Sequence, residues 1–194
     1  MLAEGAFFRT ACRIVAGRLR ALGHCNAGVA LVEFAIALPV LFIMYAGTFV
    51  LADELSCNRK VTITARSVAD LTSRYASLTP SSISTVMAAS KQIMAPYNNG
   101  TTNVRVSELL VTSPTTATVV WSQTQTNATT SQGLANGSVY ILPSNMAATG
   151  TYLILGEVTY SYQPPINYGA STAMSLYDRS FMSPRISNAI PLSN

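Results

Sequence analysis

The sequence predicts an α+β protein: a long N-terminal membrane-spanning helix, a second helix, and a small antiparallel sheet of about four strands. Three observations carry that prediction. Residues 29–52 form an apolar run interrupted by one charge, Glu33, the only charged residue between Arg20 and Asp53. Helical spacing of apolar residues continues past the run as far as about residue 95. Beyond Asn98-Asn99-Gly100 the pattern becomes extended, with alternating apolar and polar residues.

Composition sets the class. Of 194 residues, 49% are hydrophobic and only 10% are charged, a balance that fits a membrane protein carrying a folded domain. The net charge of +4 is unevenly placed. Residues 1–28 hold Arg9, Arg13, Arg18 and Arg20 against Glu4, leaving the rest of the chain with 8 basic and 7 acidic residues. The basic character therefore belongs to the leader, and no nucleic-acid surface is expected. Cys12 and Cys25 lie in that leader, so Cys57 stands alone downstream and has no partner for an intrachain disulfide.

The leader, 1–28, places Phe8, Ala11, Val15, Leu19 and Leu22 on one helical face among arginines. It reads as an amphipathic segment on an anionic inner leaflet, or else as an unstructured tail. The span follows at 29–52. Thirteen of its 24 residues are Val, Leu, Ile or Phe, worth about 4–8 kcal/mol of insertion free energy. Glu33 lies only about 6 Å in along the helix axis, where a charge costs less than at the bilayer centre. Arginines before the span, and Asp53 and Glu54 after it, orient the leader to the cytoplasm and the C-terminal part outward.

A helical extension over 53–78 is expected from Leu55, Val61, Ala65, Val68, Leu71 and Tyr75, although the β-branched run Val61–Thr64 opposes it. Residues 79–194 form the extracytoplasmic domain. Thr79-Pro80 reads as an N-cap followed by a proline in the first turn, opening a helix that stops near Ala95-Pro96. Strands are expected at Asn103–Thr112, Thr115–Gln123, Ser138–Leu142, Thr151–Gln163 and Ala173–Phe181, with Ser113-Pro114 turning the first hairpin and Thr124–Gly137 as a loop. The strand Thr151–Gln163 aligns Tyr152, Ile154, Val158, Tyr160 and Tyr162 on one face.

Catalysis is not expected. The only histidine, His24, lies in the leader, and downstream of it there is one cysteine and no zinc-ligand spacing. No phosphate-binding glycine loop and no cofactor motif is present.

Gly28, four residues, then Glu33-Phe34 and an apolar helix resemble the processing site of prepilins. A glycine there lets a peptidase approach its carbonyl closely. Cutting after Gly28 would create an α-amino group on Val29, and Glu33, one helical turn along, could meet it. Pro39 either loosens this helix for extraction and packing or is a proline of the kind membrane helices tolerate.

The run from Gly28 through Glu33, Phe34, Leu38 and Pro39 resembles the N-terminal signature of TadE-like pseudopilins, minor pilins of the tight-adherence (Flp) pilus. Gly156–Pro164 and Phe181-Met182-Ser183-Pro184-Arg185 are loosely similar to the C-terminal part of that family. The resemblance implies a pilin-like fold, removal of the leader by a prepilin peptidase, and residence in the inner membrane. It also implies partnership with other pilins and pseudopilins and with the assembly platform. The metal-binding module of the related TadG proteins is not expected, because Asp178-Arg179-Ser180-Phe181-Met182 lacks its second serine; a TadF-like identity stays open. Two other readings stand beside this one: an uncleaved, single-pass binding or scaffold protein, and a mitochondrial inner-membrane protein with an arginine-rich presequence.

Three local alternatives also stand. Cys57 either crosslinks subunits or is a small buried thiol. The tyrosines from Tyr152 to Tyr168 form an adhesive or subunit-contact surface, or else one half-buried face of a sheet plus its turn. The Asn-x-Ser/Thr triplets at Asn99, Asn127 and Asn136 matter only in a eukaryotic secretory pathway.

Overall fold

A computed structural model of the chain describes residues 28–97, 101–144, 146–164 and 173–193. The leader readings, including Cys12, His24 and Cys25, lie outside the described residues, as do Asn99 and Tyr168. The chain divides into two compact units, Met1–Phe49 and Val50–Asn194.

Helix α1 covers Val29–Ser73. Its first part has no buried stripe: from Val29 to Tyr45 every residue is exposed. Its second part does have one. Cys57, Val61, Thr64, Ala65, Val68, Ala69 and Thr72 are buried at three- and four-residue steps, the spacing of one helical face. Leu55, Leu71 and Tyr75, which periodicity assigned to the same face, are exposed. The β-branched run did not break the helix. Thr62 and Thr64 donate their hydroxyls to the carbonyls of Asn58 and Lys60 at 3.3 and 2.7 Å, and burial of Val61 and Thr64 outweighs a few tenths of a kcal/mol of propensity each.

Helix α2, Pro80–Lys91, opens as expected: Thr79 is extended and its Oγ1 accepts from the Ser82 N–H. A 3-10 turn, Gln92–Met94, continues it to the cis Ala95-Pro96 bond.

Six strands follow, two more than the approximate expectation: β1 Thr102–Ser113, β2 Thr116–Thr126, β3 Thr129–Gln132, β4 Val139–Ile141, β5 Tyr152–Tyr162 and β6 Met174–Met182. The sheet order is β3-β2-β1-β5-β6, with β4 also on β2, and every pairing is antiparallel. The expected Thr124–Gly137 loop is corrected here. β2 runs on through Thr126, and Asn127-Ala128 turn it into β3, with Asn127 left-handed at φ 54°. Asparagine tolerates that conformation, so the signal was present but short.

Two apolar clusters use the two faces of the sheet. On one face, Val104, Val106, Trp121, Ile154, Val158, Tyr160 and Tyr162 pack with α1, α2 and Ile190. On the other, Leu109, Val111, Val119, Leu153 and Leu155 pack with Leu142 and Phe181. A bulge lets β2 serve both with odd-numbered residues. Glu108 pairs with Trp121 and Leu109 with Val119, so Val120 is the extra residue and the alternation reverses there.

Gly156 explains how α1 seats on β5. A Cβ at that position would lie 2.6 Å from the Ala65 carbonyl oxygen and 2.8 Å from Val68 Cγ1. The helix backbone therefore rests directly on the strand. The C-terminal segment closes the same side. Leu78 bridges to Leu192, the Arg185 N–H donates to the Ser73 carbonyl at 2.9 Å, and Ile190 is fully buried. The Ser73 carbonyl is one that the end of α1 leaves without an intrahelical donor.

Candidate functional site: the N-terminal part of α1

The segment from Gly28 to Tyr45 is built from residues that favour a helix in lipid and, among the described residues, have no apolar neighbour to cover them. Leu31, Phe34, Ile36, Ile43 and Tyr45 are 62–72% exposed. A helix that is apolar all round is stable only when buried in protein or in a bilayer. α1 is long and apolar enough to cross a membrane.

Glu33 is exposed and stands one turn after Val29. In an α-helix the Cα–Cβ bonds lean toward the N-terminus, so residues at i and i+4 lie one above the other. Glu33 and Val29 thus share a helical face, close to the first turn of α1, whose N–H groups lack intrahelical partners and carry the positive end of the helix dipole. Gly28 sits just before that turn, with nothing within 4 Å of where a Cβ would stand. Phe34 is exposed beside Glu33. Pro39 lies inside the helix, removing the N–H that would have bonded the Ala35 carbonyl. Gly28, Val29, Glu33, Phe34 and Pro39 thus fall in one short, uncovered helical stretch.

Sequence reasoning treated Asp53 only as a flanking charge. In the fold its carboxylate accepts from two tyrosines, Tyr97 Oη at 2.8 Å and Tyr162 Oη at 2.7 Å. Their rings meet edge to face with centroids 6.5 Å apart. Burial first, and then the Asp53 carboxylate, push the Tyr97 hydroxyl up to about 12 and raise Tyr162 further. Both hydroxyls stay protonated and keep donating. Two tyrosines from the 3-10 end and from β5 thereby hold α1 at the point where its buried stripe begins. No sequence signal links 53 with 97 and 162. Tyr160 and Tyr162 are buried, which excludes them from an adhesive surface.

Cys57 is fully buried and free. That settles its role as a core thiol and corrects the crosslinking alternative. Among the described residues no group of three or more His, Cys, Asp or Glu side chains is placed to hold a metal ion.

A second polar constellation lies on the sheet face away from the helices. Glu157, nearly buried, takes the Arg105 guanidinium at 2.7 Å and the Tyr177 hydroxyl at 2.6 Å. Tyr140 joins Glu157 to Arg179. Every member has a partner, which marks the group as a device that fixes strand register.

The family model described as TadE-like protein matches residues 28–70. No curated protein and no solved structure matches the chain. The matched segment begins at Gly28, contains Glu33, Phe34 and Pro39, and runs through the part of α1 that rests on Gly156. The likeness to the TadE-like family is carried by this segment, 43 of the 194 residues.

Proposed function

We propose that the chain is a minor pseudopilin, a structural and non-catalytic subunit needed to assemble a tight-adherence pilus. Its basic leader is removed after Gly28 by a prepilin peptidase. The observation that carries this reading is the uncovered apolar stretch of α1 with its single carboxylate one turn from Val29. Removal of the leader puts an ammonium at the positive end of a helix dipole, where two like charges repel. Glu33 is positioned to neutralise both, within its own chain or from a neighbour. Lipid covers the helix first, with the leader cytoplasmic and the β domain outside the inner membrane. Sister pilins, recruited through the assembly platform, then replace the lipid.

The test is the N-terminus of protein recovered from its host. Cleavage gives a chain beginning at Val29, lighter by the 28-residue leader; a chain still beginning at Met1 refutes processing and favours the uncleaved anchor. In the same cells, Glu33→Gln is expected to insert normally yet lower the yield of sheared pili at least tenfold. Unchanged piliation would remove the charge-pairing role.

A further inference from the structure

Past residue 50, the surface of α1 that the sheet leaves open divides into two strips of unlike charge. Leu51, Glu54 and Asn58 form one; Leu55, Arg59, Ile63 and Arg66 form the other. At about 100° per residue, the centres of the strips lie roughly 100° apart around the helix. All of these residues are exposed except Glu54, which is half-buried. The acidic strip is short, because Val61 and Ala65, next along that side, are buried against the sheet. Glu54, Arg59 and Arg66 have no opposite charge within ion-pair distance among the described residues. Glu54 and Arg59 stand about 140° apart on the helix, so they cannot meet within one chain.

The direction of α1 limits which copies the strips can join. Copies inserted with the same topology run parallel. Paired about a two-fold axis at one level, they would set Glu54 against Glu54 and Arg59 against Arg59, which repel. Displaced by five residues, about 7.5 Å along the axis, the acid of one copy faces Arg59 of the next. A second count agrees with the first. A Val29 ammonium that meets Glu33 of a neighbour needs a displacement of four residues in the same sense. Such a contact joins unlike strips, so it does not close on itself, and each copy keeps one strip free for another.

We propose that Glu54 of one copy pairs with Arg59 of a second, parallel copy of this chain displaced by about five residues, in a head-to-tail contact between the two strips of α1. The proposal rests on the reading of the chain as a filament subunit and names a partner and a register for its helix. The charges fix the displacement; Leu51, Leu55 and Ile63 supply the apolar surface around them.

The experiment is oxidative crosslinking with copper phenanthroline on intact host cells, comparing the full-length parent with Glu54→Cys/Arg59→Cys. The Cα atoms of these positions are more than about 7 Å apart on one helix, too far to bridge within a chain. A head-to-tail contact links them into a ladder of dimers, trimers and longer species, at least fivefold above the parent, whose Cys57 is buried. Each single variant and the control pair Glu54→Cys/Leu71→Cys should stay at the parent level. In uncrosslinked cells, Glu54→Arg and Arg59→Glu should each lower the yield of sheared pili at least threefold, and the two together should restore it. No ladder, dimers alone, an equal ladder from the control pair, or no recovery in the double swap would overturn the proposal. The N-terminal mass of the same chains separates this contact from the wider reading. A ladder of chains beginning at Met1 keeps the contact and refutes processing, whereas chains beginning at Val29 without a ladder refute the contact alone.

Discussion

Substituting Gly156 by alanine tests the seating of α1 on the sheet with a single methyl group. The new Cβ would stand 2.6 Å from the Ala65 carbonyl oxygen, 2.8 Å from Val68 Cγ1 and 3.1 Å from Ala69 Cβ. Carbon and oxygen normally approach no closer than about 3.3 Å, so the helix would have to lift by roughly 0.7 Å. Overpacking of this kind costs about 1–3 kcal/mol. Alanine recovers about 0.5–1 kcal/mol over glycine inside a strand. The net expectation is a loss of about 1–2 kcal/mol, or roughly 3–7 °C in the unfolding midpoint of a domain this size. Thermal unfolding of the full chain in micelles, followed by Trp121 fluorescence, measures it. The nearest obstacle is backbone, so adding Val68→Ala should not restore the midpoint. If Gly156→Ala unfolds at or above the parent temperature, the close approach of helix and strand is wrong.

Three further outcomes follow from the same packing. Burial and the neighbouring Asp53 raise the Tyr97 and Tyr162 hydroxyls above the ordinary 10, Tyr97 to about 12. Their contribution is therefore full below pH 10 and is lost as pH rises toward and through 12. The midpoint should fall across that window, and less steeply in Tyr97→Phe. Glu108 is buried and accepts from the Ile190 N–H at 2.5 Å; burial raises its carboxyl above 4.5. The folded state thus favours its protonated form, and the stability it lends is full below pH 4.5 and declines as pH rises through the raised value. Glu108→Gln keeps an acceptor without a charge and should flatten that slope in urea titrations from pH 4 to 8. Ile190→Ala empties a fully buried site beside Trp121, whose Nε1 donates to the Ile190 carbonyl at 2.8 Å. It should cost about 2–5 kcal/mol and shift tryptophan emission to longer wavelength.

Local chemistry was readable wherever it was self-contained. The apolar run, the single acid Glu33, the Thr79-Pro80 cap and five of the strands each depend on neighbours within a few residues. Sequence patterns record such neighbours directly. The short β3 escaped because four polar residues, Thr129–Gln132, carry no apolar alternation.

The sequence alone determined that an apolar helix with one charge near its start precedes a polar-turned α+β domain, because periodicity and hydropathy are properties of adjacent residues. Only the tertiary structure decided that Asp53 is held by Tyr97 and Tyr162, that Gly156 is the seat of α1, and that the C-terminal segment closes over Trp121 and Glu108. These pairs lie 44 to 109 residues apart. They are chosen by which side chains fill a shared space, and no spacing rule along the chain encodes that choice.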